Sequence, residues 1–352
     1  MIFEESLKRI KETDKEAEER AKKRWLSIAK PLYSLGVLED IIIKISAIKK
    51  NEKFEIGKKA LIIMCADNGI TEEGVTQTSS DMTAIVSENF IKGNASVCYM
   101  AKRAGVDIFP VDIGIKEDVK GLSDKKYKVG YGTENMTKKA AMKREDAVRA
   151  IEVGINLVGE LKEKGYGMIA TGEMGIGNTS TSCAVVSVLT GADVKEITGR
   201  GAGLDDEGLK RKIKAIERAI EANKPDKEDI ADVLSKVGGY DICGLVGVFI
   251  GGGIYEVPVI IDGVISLTAA LAAVRLCPKL KEYMIASHVS KENASRAILR
   301  EIGLRAAIDA DMCLGEGSGA VAVIPLIEMG YDVYMNMISF DNWGHEEDYR
   351  KK

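Results

Sequence analysis

The segment TGEMGIGNTSTSCA, residues 171–184, is the best single guide to the fold. It continues a short apolar run, GYGMIATGEMG (165–175), which has the length and composition of a buried strand. Gly175 and Gly177 then permit a tight turn before a helix that starts at about Asn178. We therefore predict a strand, a glycine turn and a helix in direct succession.

The same alternation of short apolar runs with longer helical patterns continues along the chain. It is typical of an α/β fold, so we predict a mostly parallel sheet with helices on both faces. The further strands are expected in ALIIMCADNG (60–69), VDIFPVDIGI (106–115), EVPVIIDG (256–263) and EYMIASH (282–288), with helices over 81–105 and 264–276.

Small and polar residues stand where these strands end, in the fragments CADNG, TGEMGIGN, IDG and ASH. Ligands of parallel α/β sheets bind beyond the carboxyl ends of the strands, so we expect the four fragments to form one crevice. We assign residues 56–330 to a large α/β catalytic domain. The outer segments, 1–55 and 331–352, have helical patterns and are expected to form a small lobe.

Composition narrows the class of partner. The 352 residues include 50 basic and 54 acidic side chains, well mixed, with a formal net charge of −4. Such a balance favours a small-molecule partner over nucleic acid or a membrane surface. The charged N-terminus is unlike a signal peptide, and the longest apolar run, 243–255, is too short to span a bilayer. We expect a cytoplasmic protein.

Six cysteines occur singly in apolar contexts, which is typical of buried thiols in a reducing compartment. With only two histidines, His288 and His345, acid–base chemistry is expected to fall to carboxylates. The pairs Asp205–Asp206 and Asp309–Asp311 are the nearest approach to a magnesium site. Asp205 is better explained as a helix N-cap, so we expect no metal and no cofactor.

Two features could bind an anion. In the glycine turn after residue 174, exposed N–H groups and a helix N-terminus would suit a phosphate, although an ordinary turn capped by Asn178, Thr179 or Ser180 fits equally well. Lys212 lies at the edge of an apolar helical stripe, where it would either meet a phosphate or extend to the surface. The segment GEGSGA (315–320) only approaches a dinucleotide fingerprint and places a carboxylate in the loop, so we exclude a dinucleotide site.

Seven segments, in order along nearly the whole chain, resemble the nicotinate-nucleotide:dimethylbenzimidazole phosphoribosyltransferase family. They are ADNGITEEGVTQ, NFIKGNAS, TGEMGIGNTSTSCA, GRGAGLDDEGLKRK, VGGYDICGL, PVIIDGVISLTAALAA and LGEGSGA. The resemblance implies a homodimer with a Rossmann-like sheet and a helical lobe built from both chain ends. It also implies transfer of phosphoribose from nicotinate mononucleotide to 5,6-dimethylbenzimidazole, in assembly of the cobalamin nucleotide loop.

The resemblance assigns roles to individual residues. It implies that Glu316 is the general base and Glu173 a second catalytic carboxylate. The residues it implies for substrate binding are Gly175, Gly177, Asn178, Gly201, Lys212, Ser287, Ser290, Asp67, Thr76 and Ser80.

The chain departs from the family pattern in three places. Asn68 stands where the family usually has histidine, KPLYSLG (30–36) replaces KPPGSLG, and the segment 76–80, TQTSS, lacks an aromatic residue and a proline. Since that last region lines the base pocket in the family, the acceptor could also be another benzimidazole, a purine or a phenol. A non-catalytic phosphosugar-binding subunit of a hetero-oligomer is the alternative from another class.

Overall fold

The protein is described by a computed structural model that covers residues 3–122, 125–201 and 203–343. The strands are β1 (Lys58–Ala66), β2 (Val106–Gly114), β3 (Tyr166–Met174), β4 (Val259–Ile261) and β5 (Met284–Ala286). The α-helices are α1 (Phe3–Lys8), α2 (Lys15–Ser27), α3 (Val37–Lys49), α4 (Asp81–Lys92), α5 (Ser96–Ala104), α6 (Arg144–Glu163), α7 (Asn178–Thr190), α8 (Val194–Ile197), α9 (Asp206–Asn223), α10 (Ile230–Val237), α11 (Tyr240–Tyr255), α12 (Val264–Leu276), α13 (Ala294–Ile302) and α14 (Ser318–Asn336). Short 3₁₀ helices cover Gly69–Glu73, Pro278–Tyr283 and Phe340–Asn342.

The five strands form one sheet in the order β2-β1-β3-β4-β5, and each neighbouring pair is parallel. This confirms the parallel α/β prediction. The chain leaves β1 for β2 on one side and later returns to pair β3 on the other side of β1. The order therefore reverses between β1 and β3, which creates a crevice at their carboxyl ends.

Alternate residues of β1 enter two separate hydrophobic cores. Ala60, Ile62 and Met64 pack with α6, α7, α11 and α12, whereas Leu61 and Ile63 pack with α2, α3, α5 and α14. Successive side chains of a strand point to opposite faces, so these two cores show that helices cover both faces of the sheet, as predicted.

The segment 81–105 was predicted to be one helix, and this is wrong. It forms two helices, α4 and α5, because Gly93 takes a left-handed conformation (φ 74°) that ends α4. The N–H of Gly93 bonds back to the carbonyl oxygens of Asn89 and Phe90, in the manner of a glycine C-cap.

The two outer segments of the chain contact one another. Ile28 and Ser339 form an antiparallel bridge, the rings of Trp25 and Tyr334 lie 5.0 Å apart, and Arg24 donates two hydrogen bonds to the last carbonyl groups of α14. Residue 331 lies inside α14, and residues 1, 2 and 344–352 lie outside the described residues. The division into a catalytic domain and a helical lobe stays a prediction.

Glycines allow α6 and α11 to pack with their backbones in near contact. A Cβ atom on Gly247 would collide with the carbonyl oxygen of Ile151, and one on Gly154 would collide with that of Gly244. The glycine-rich sequence of α11 is therefore a requirement of this helix pair.

We predict that Gly247→Ala lowers the free energy of unfolding by about 2–3 kcal/mol, because the new methyl group has to push two helix backbones apart. Gly330→Ala is the matched control, since a Cβ at this second helical glycine would meet its nearest neighbour at 3.4 Å, an ordinary contact. That variant should be neutral or more stable by up to about 1 kcal/mol. Urea unfolding of both variants checks the prediction, which equal stabilities would contradict.

Candidate active site

A cavity of about 290 Å³ opens at the carboxyl ends of the strands. Three of the four strand-end fragments, those after β3, β4 and β5, supply wall residues. The fragment after β1 supplies none, although Asn68 lies close behind Gly177 in the wall. Eight of the residues assigned from the sequence line the cavity: Thr76, Glu173, Gly175, Gly177, Asn178, Gly201, Ser290 and Glu316. The structure thus brings both candidate carboxylates to one chamber.

Lys212 and Ser287 lie behind the cavity wall. Lys212 is fully buried on the inner face of α9, and its Nζ donates to Thr179 Oγ1 (2.8 Å) and to the carbonyl oxygen of Gly199 (3.1 Å). Of the two possibilities for this side chain, the structure shows the inward one. Ser287 is also fully buried, and its hydroxyl bonds to His288 Nδ1 at 2.9 Å.

Asp67 and Ser80 are the two assigned residues that lie farther from the chamber. Asp67 is buried beyond β1, where its Oδ2 accepts the Lys116 N–H at 2.7 Å. Ser80 is half-buried and precedes α4 without capping it. Neither residue lines the cavity.

The backbone at Glu316 is left-handed for three residues in a row, with φ values of 82° at Gly315, 61° at Glu316 and 90° at Gly317. A glutamate in this conformation is strained, and strain of this kind concentrates at functional sites. One carboxylate oxygen accepts the N–H of Val97, in the first turn of α5, at 3.0 Å. Partial burial raises the pKa of Glu316, the Val97 hydrogen bond opposes that shift, and the nearby Asp262 adds to it.

Glu173 is the penultimate residue of β3. Burial raises its pKa to about 8, with smaller contributions in the same direction from Asp241, Asp262 and Glu316, while the hydrogen bond from Asn178 acts in the opposite direction. At pH 7, before substrate binds, most molecules therefore hold a proton on Glu173.

The start of α7 differs from the expectation that Asn178, Thr179 or Ser180 would cap it. Gly177 holds the cap position with φ 93°, and no side chain bonds to the N-terminal N–H groups. The amide of Asn178 is occupied elsewhere, since it donates to Glu173 and to Asp241 (3.0 Å). Of the two alternatives left open for this turn, the structure does not show the one with a side-chain cap, and the positive end of the helix dipole faces the cavity.

A second helix also begins at the cavity wall. α12 starts after Gly263 without a side-chain cap, and its first turn lines the chamber. Burial lowers the pKa of Lys212 behind the wall. Two helix N-termini and a buried ammonium group thus face a site that also holds acids, an arrangement suited to a ligand with both anionic and cationic parts.

Sequence reasoning missed Asp262 and underrated His288. Asp262 follows β4, and its carboxylate accepts N–H groups from Gly317 (3.1 Å), Gly319 (2.7 Å) and Ala320 (3.1 Å), so it caps α14 directly after Glu316. His288 follows β5 and packs its ring against Gly319, where a Cβ would collide with it. Asp262 and His288 do occur in the strand-end fragments IDG and ASH, but the spacing of residues in these fragments matches no recognisable motif.

Asp205 caps α9 as predicted, by accepting the Gly208 N–H at 2.7 Å. Within the parts of the chain that the structure describes, no three His, Cys, Asp or Glu side chains are grouped so as to bind a metal ion. The same residues contain no helix long and apolar enough to cross a bilayer.

Comparison with known proteins places the chain in a family. A family model described as "Phosphoribosyltransferase" matches residues 10–344. The nicotinate-nucleotide–dimethylbenzimidazole phosphoribosyltransferase of Acetivibrio thermocellus is 47% identical over 342 residues, which cover 97% of each chain. The protein of the same name from Clostridium tetani is 46% identical over 336 residues, covering 96% of this chain and 93% of its own.

A solved structure agrees with these sequence relationships. The crystal structure of CobT from Thermus thermophilus superposes with a TM-score of 0.87 at 32% identity, covering 93% of this chain and 98% of that one. The resemblance found in the sequence motifs is thereby confirmed. The chain belongs to the nicotinate-nucleotide:dimethylbenzimidazole phosphoribosyltransferase family of enzymes.

Proposed function

We propose that the protein transfers phosphoribose from nicotinate mononucleotide to 5,6-dimethylbenzimidazole, giving α-ribazole 5′-phosphate and nicotinate. The observation that carries this proposal is the placement of Glu316 and Glu173 in one chamber, next to the uncapped start of α7 and the buried Lys212. The relatives described above bear the names of this donor and this acceptor.

The substrate phosphate would bind at the start of α7. Gly175, Gly177 and Gly201 let the backbone approach closely, and the helix N-terminus favours a negative charge. Lys212 stands directly behind, where a Cβ on Gly201 would lie only 3.5 Å from its Nζ. Within the described residues the ammonium group has two acceptors, which leaves one of its three N–H donors for the phosphate.

Glu316 would act as the general base. The bond between the anomeric carbon and the pyridinium nitrogen breaks, its electron pair returns to the leaving nicotinate, and a nitrogen of the incoming base forms the new bond. The N–H proton of that base passes to Glu316, whose raised pKa makes it the stronger base. Leu314, Met174 and Val86 supply apolar wall beside it for an aromatic acceptor.

Glu173 would respond to the charge of the substrate. Before substrate binds, its carboxyl group mostly holds a proton near neutral pH, and it can donate a hydrogen bond. A bound pyridinium, or the positive charge that develops on the ribose, lowers the pKa of a neighbouring carboxyl group. Glu173 can thus turn from a hydrogen-bond donor into a stabilising negative charge as the reaction proceeds.

We predict that the purified protein releases nicotinate from nicotinate mononucleotide when dimethylbenzimidazole is present, and that Glu316→Gln reduces turnover at least about a hundredfold with an unchanged fold. Chromatography of products separates the acceptors if benzimidazole, adenine, phenol and p-cresol are offered in parallel. Turnover only with phenols would reassign the acceptor. The absence of turnover with every acceptor would contradict the proposed function and favour the binding-subunit alternative, and near-normal activity of Glu316→Gln would remove this residue as the base.

We predict that Lys212→Met raises the KM for nicotinate mononucleotide about tenfold to a hundredfold, because a hydrogen bond between a charged group and the phosphate is worth about 1.5–3 kcal/mol. Methionine keeps the length of the stem and removes only the ammonium group. Lys210→Met is the matched control, since Lys210 lies on the exposed side of the same helix. Steady-state kinetics provide the measurement, and equal KM values for the two variants would exclude Lys212 from phosphate binding.

We further propose a homodimer that works in the cytoplasm. The helices α4 and α5 expose Ile85, Ile91 and Tyr99, which are 50%, 42% and 66% accessible in the single chain, and exposed apolar side chains of this size favour a protein partner. All six cysteines are free thiols, which suits a reducing compartment. Two of them differ from the sequence expectation of burial: Cys277 is half-buried and Cys313 is exposed at the cavity wall.

Light scattering of the purified protein should give twice the 38.1 kDa mass of the chain. Burial of the apolar side chains of α4 and α5 supplies the physical reason. A mass equal to one chain at micromolar concentration would contradict the dimer, and activity that appears only after addition of a second, different chain would replace it with a hetero-oligomer.

A further inference from the structure

One amide links the active-site cavity to a carboxyl group that lies behind it. The Nδ2 group of Asn178 donates one hydrogen bond to Glu173 Oε2 and another to Asp241 Oδ2, the latter at 3.0 Å. Glu173 and Asn178 line the cavity, whereas Asp241 does not. Asn178 is therefore the hydrogen-bonded link between Asp241 and the cavity.

Asp241 is held rigidly. It lies in the first turn of α11 with no exposed surface, and its Oδ1 accepts the N–H of Ile242 at 3.0 Å. Two glycines pack against it: a Cβ on Gly175 would lie 2.6 Å from Asp241 Oδ2, and one on Gly239 would collide with Oδ1. A carboxyl group fixed in this way can serve as an anchor for the amide that it binds.

We propose that Asp241 is a positioning residue of the phosphoribosyl transfer, which acts through Asn178 to hold the Glu173 carboxyl group in its place at the cavity. The inference rests on the proposed function, because it concerns what Glu173 does in that reaction. Groups that support reacting side chains in this way matter, since a displacement of about 1 Å at a reacting centre can cost about a hundredfold in rate.

Charge gives Asp241 a second influence on Glu173. Three acids from three elements raise the pKa of Glu173 through their charge: Asp241 in α11, Asp262 after β4 and Glu316 before α14. A further titratable neighbour is Cys65 on β1, whose thiol pKa is raised to about 12 by burial and which is therefore neutral. Burial also raises the pKa of Asp241, to about 6, so near neutral pH Asp241 is mostly ionised while Glu173 is mostly protonated.

The amide of Asn68 is a further neighbour of Asp241. It is almost fully buried beside Asp241, and this contact lowers the pKa of the Asp241 carboxyl group. Because an amide does not titrate, Asn68 cannot neutralise Asp241. The negative charge of Asp241 therefore persists beside this amide, and it disfavours ionisation of Glu173.

Two substitutions separate the positioning effect of Asp241 from the effect of its charge. Asp241→Ala removes the anchor, so we expect kcat to fall about tenfold to a hundredfold with a much smaller change in the KM for nicotinate mononucleotide. Asp241→Asn keeps an oxygen that can accept the Asn178 hydrogen bond and removes the charge. Loss of a nearby negative charge lowers the pKa of Glu173, so the limb of the pH–rate profile that reports Glu173 should move to lower pH.

A double-mutant cycle distinguishes positioning from a general structural role. If Asp241 acts through Glu173, Asp241→Ala should have little further effect on kcat in a Glu173→Gln background, and the pH shift of Asp241→Asn should vanish there. Asp112→Asn is the matched control: Asp112 is a buried carboxyl group at the end of β2 that accepts the Ile115 N–H, and it lies outside the cavity wall. It should leave the pH–rate profile in place.

Two results would overturn the inference: effects of Asp241→Ala and Glu173→Gln that simply multiply, or an unmoved pH–rate profile in Asp241→Asn. If Asp241→Ala does not fold, Asn178→Ala cuts the same link from the other side and takes its place in the cycle. Lack of nicotinate release by the unmodified protein would instead contradict the proposed function, so the two failures are distinguishable.

Discussion

The parallel direction of all five strands is the constraint on which the rest of the structure depends. It brings the ends of β1, β3, β4 and β5 to one edge, so residues far apart in sequence, such as Glu173 and Asp262, share one environment. It also places the helices that follow β3 and β4 with their N-termini toward that edge. A site that combines acids with positive helix ends follows from this topology, because each strand supplies a side chain and the next helix supplies N–H groups.

The accumulation of acids at this edge is costly in free energy unless the acids keep their protons or hydrogen bonds satisfy their charges. The structure does both. Asp262 spreads its charge over three N–H groups at the start of α14, and Glu173 keeps its proton near neutral pH. A substrate that carries a positive ring and a negative phosphate would relieve the remaining repulsion, so binding and charge balance favour the same ligand.

The sequence predicted the features that depend on local patterns. Strand positions, the start of α7 and the Asp205 cap each follow from residue order and periodicity, and the motif order revealed the family, whereas periodicity left the direction of Lys212 open. The break between α4 and α5 was missed, because the apolar pattern continues on both sides of Gly93 and a single glycine inside such a pattern is also tolerated within a helix. The links from Asn178 to Asp241 and from Asp262 to α14 join distant segments, and periodicity within one segment contains no information about such pairs.

The helix α14 connects the cavity with the amino-terminal helices, which lie far from the cavity residues in the sequence. It has 19 residues and is therefore about 28 Å long. At its start it follows Glu316 and is clamped by Asp262; at its end its last carbonyl groups are held by Arg24, and Tyr334 packs on Trp25. Because α14 is held at both ends, a displacement of its carboxyl end is carried to its amino end. Shortening or tagging the amino-terminal helices would thus be an indirect alteration of Glu316, the proposed general base, although no described residue of those helices lines the cavity.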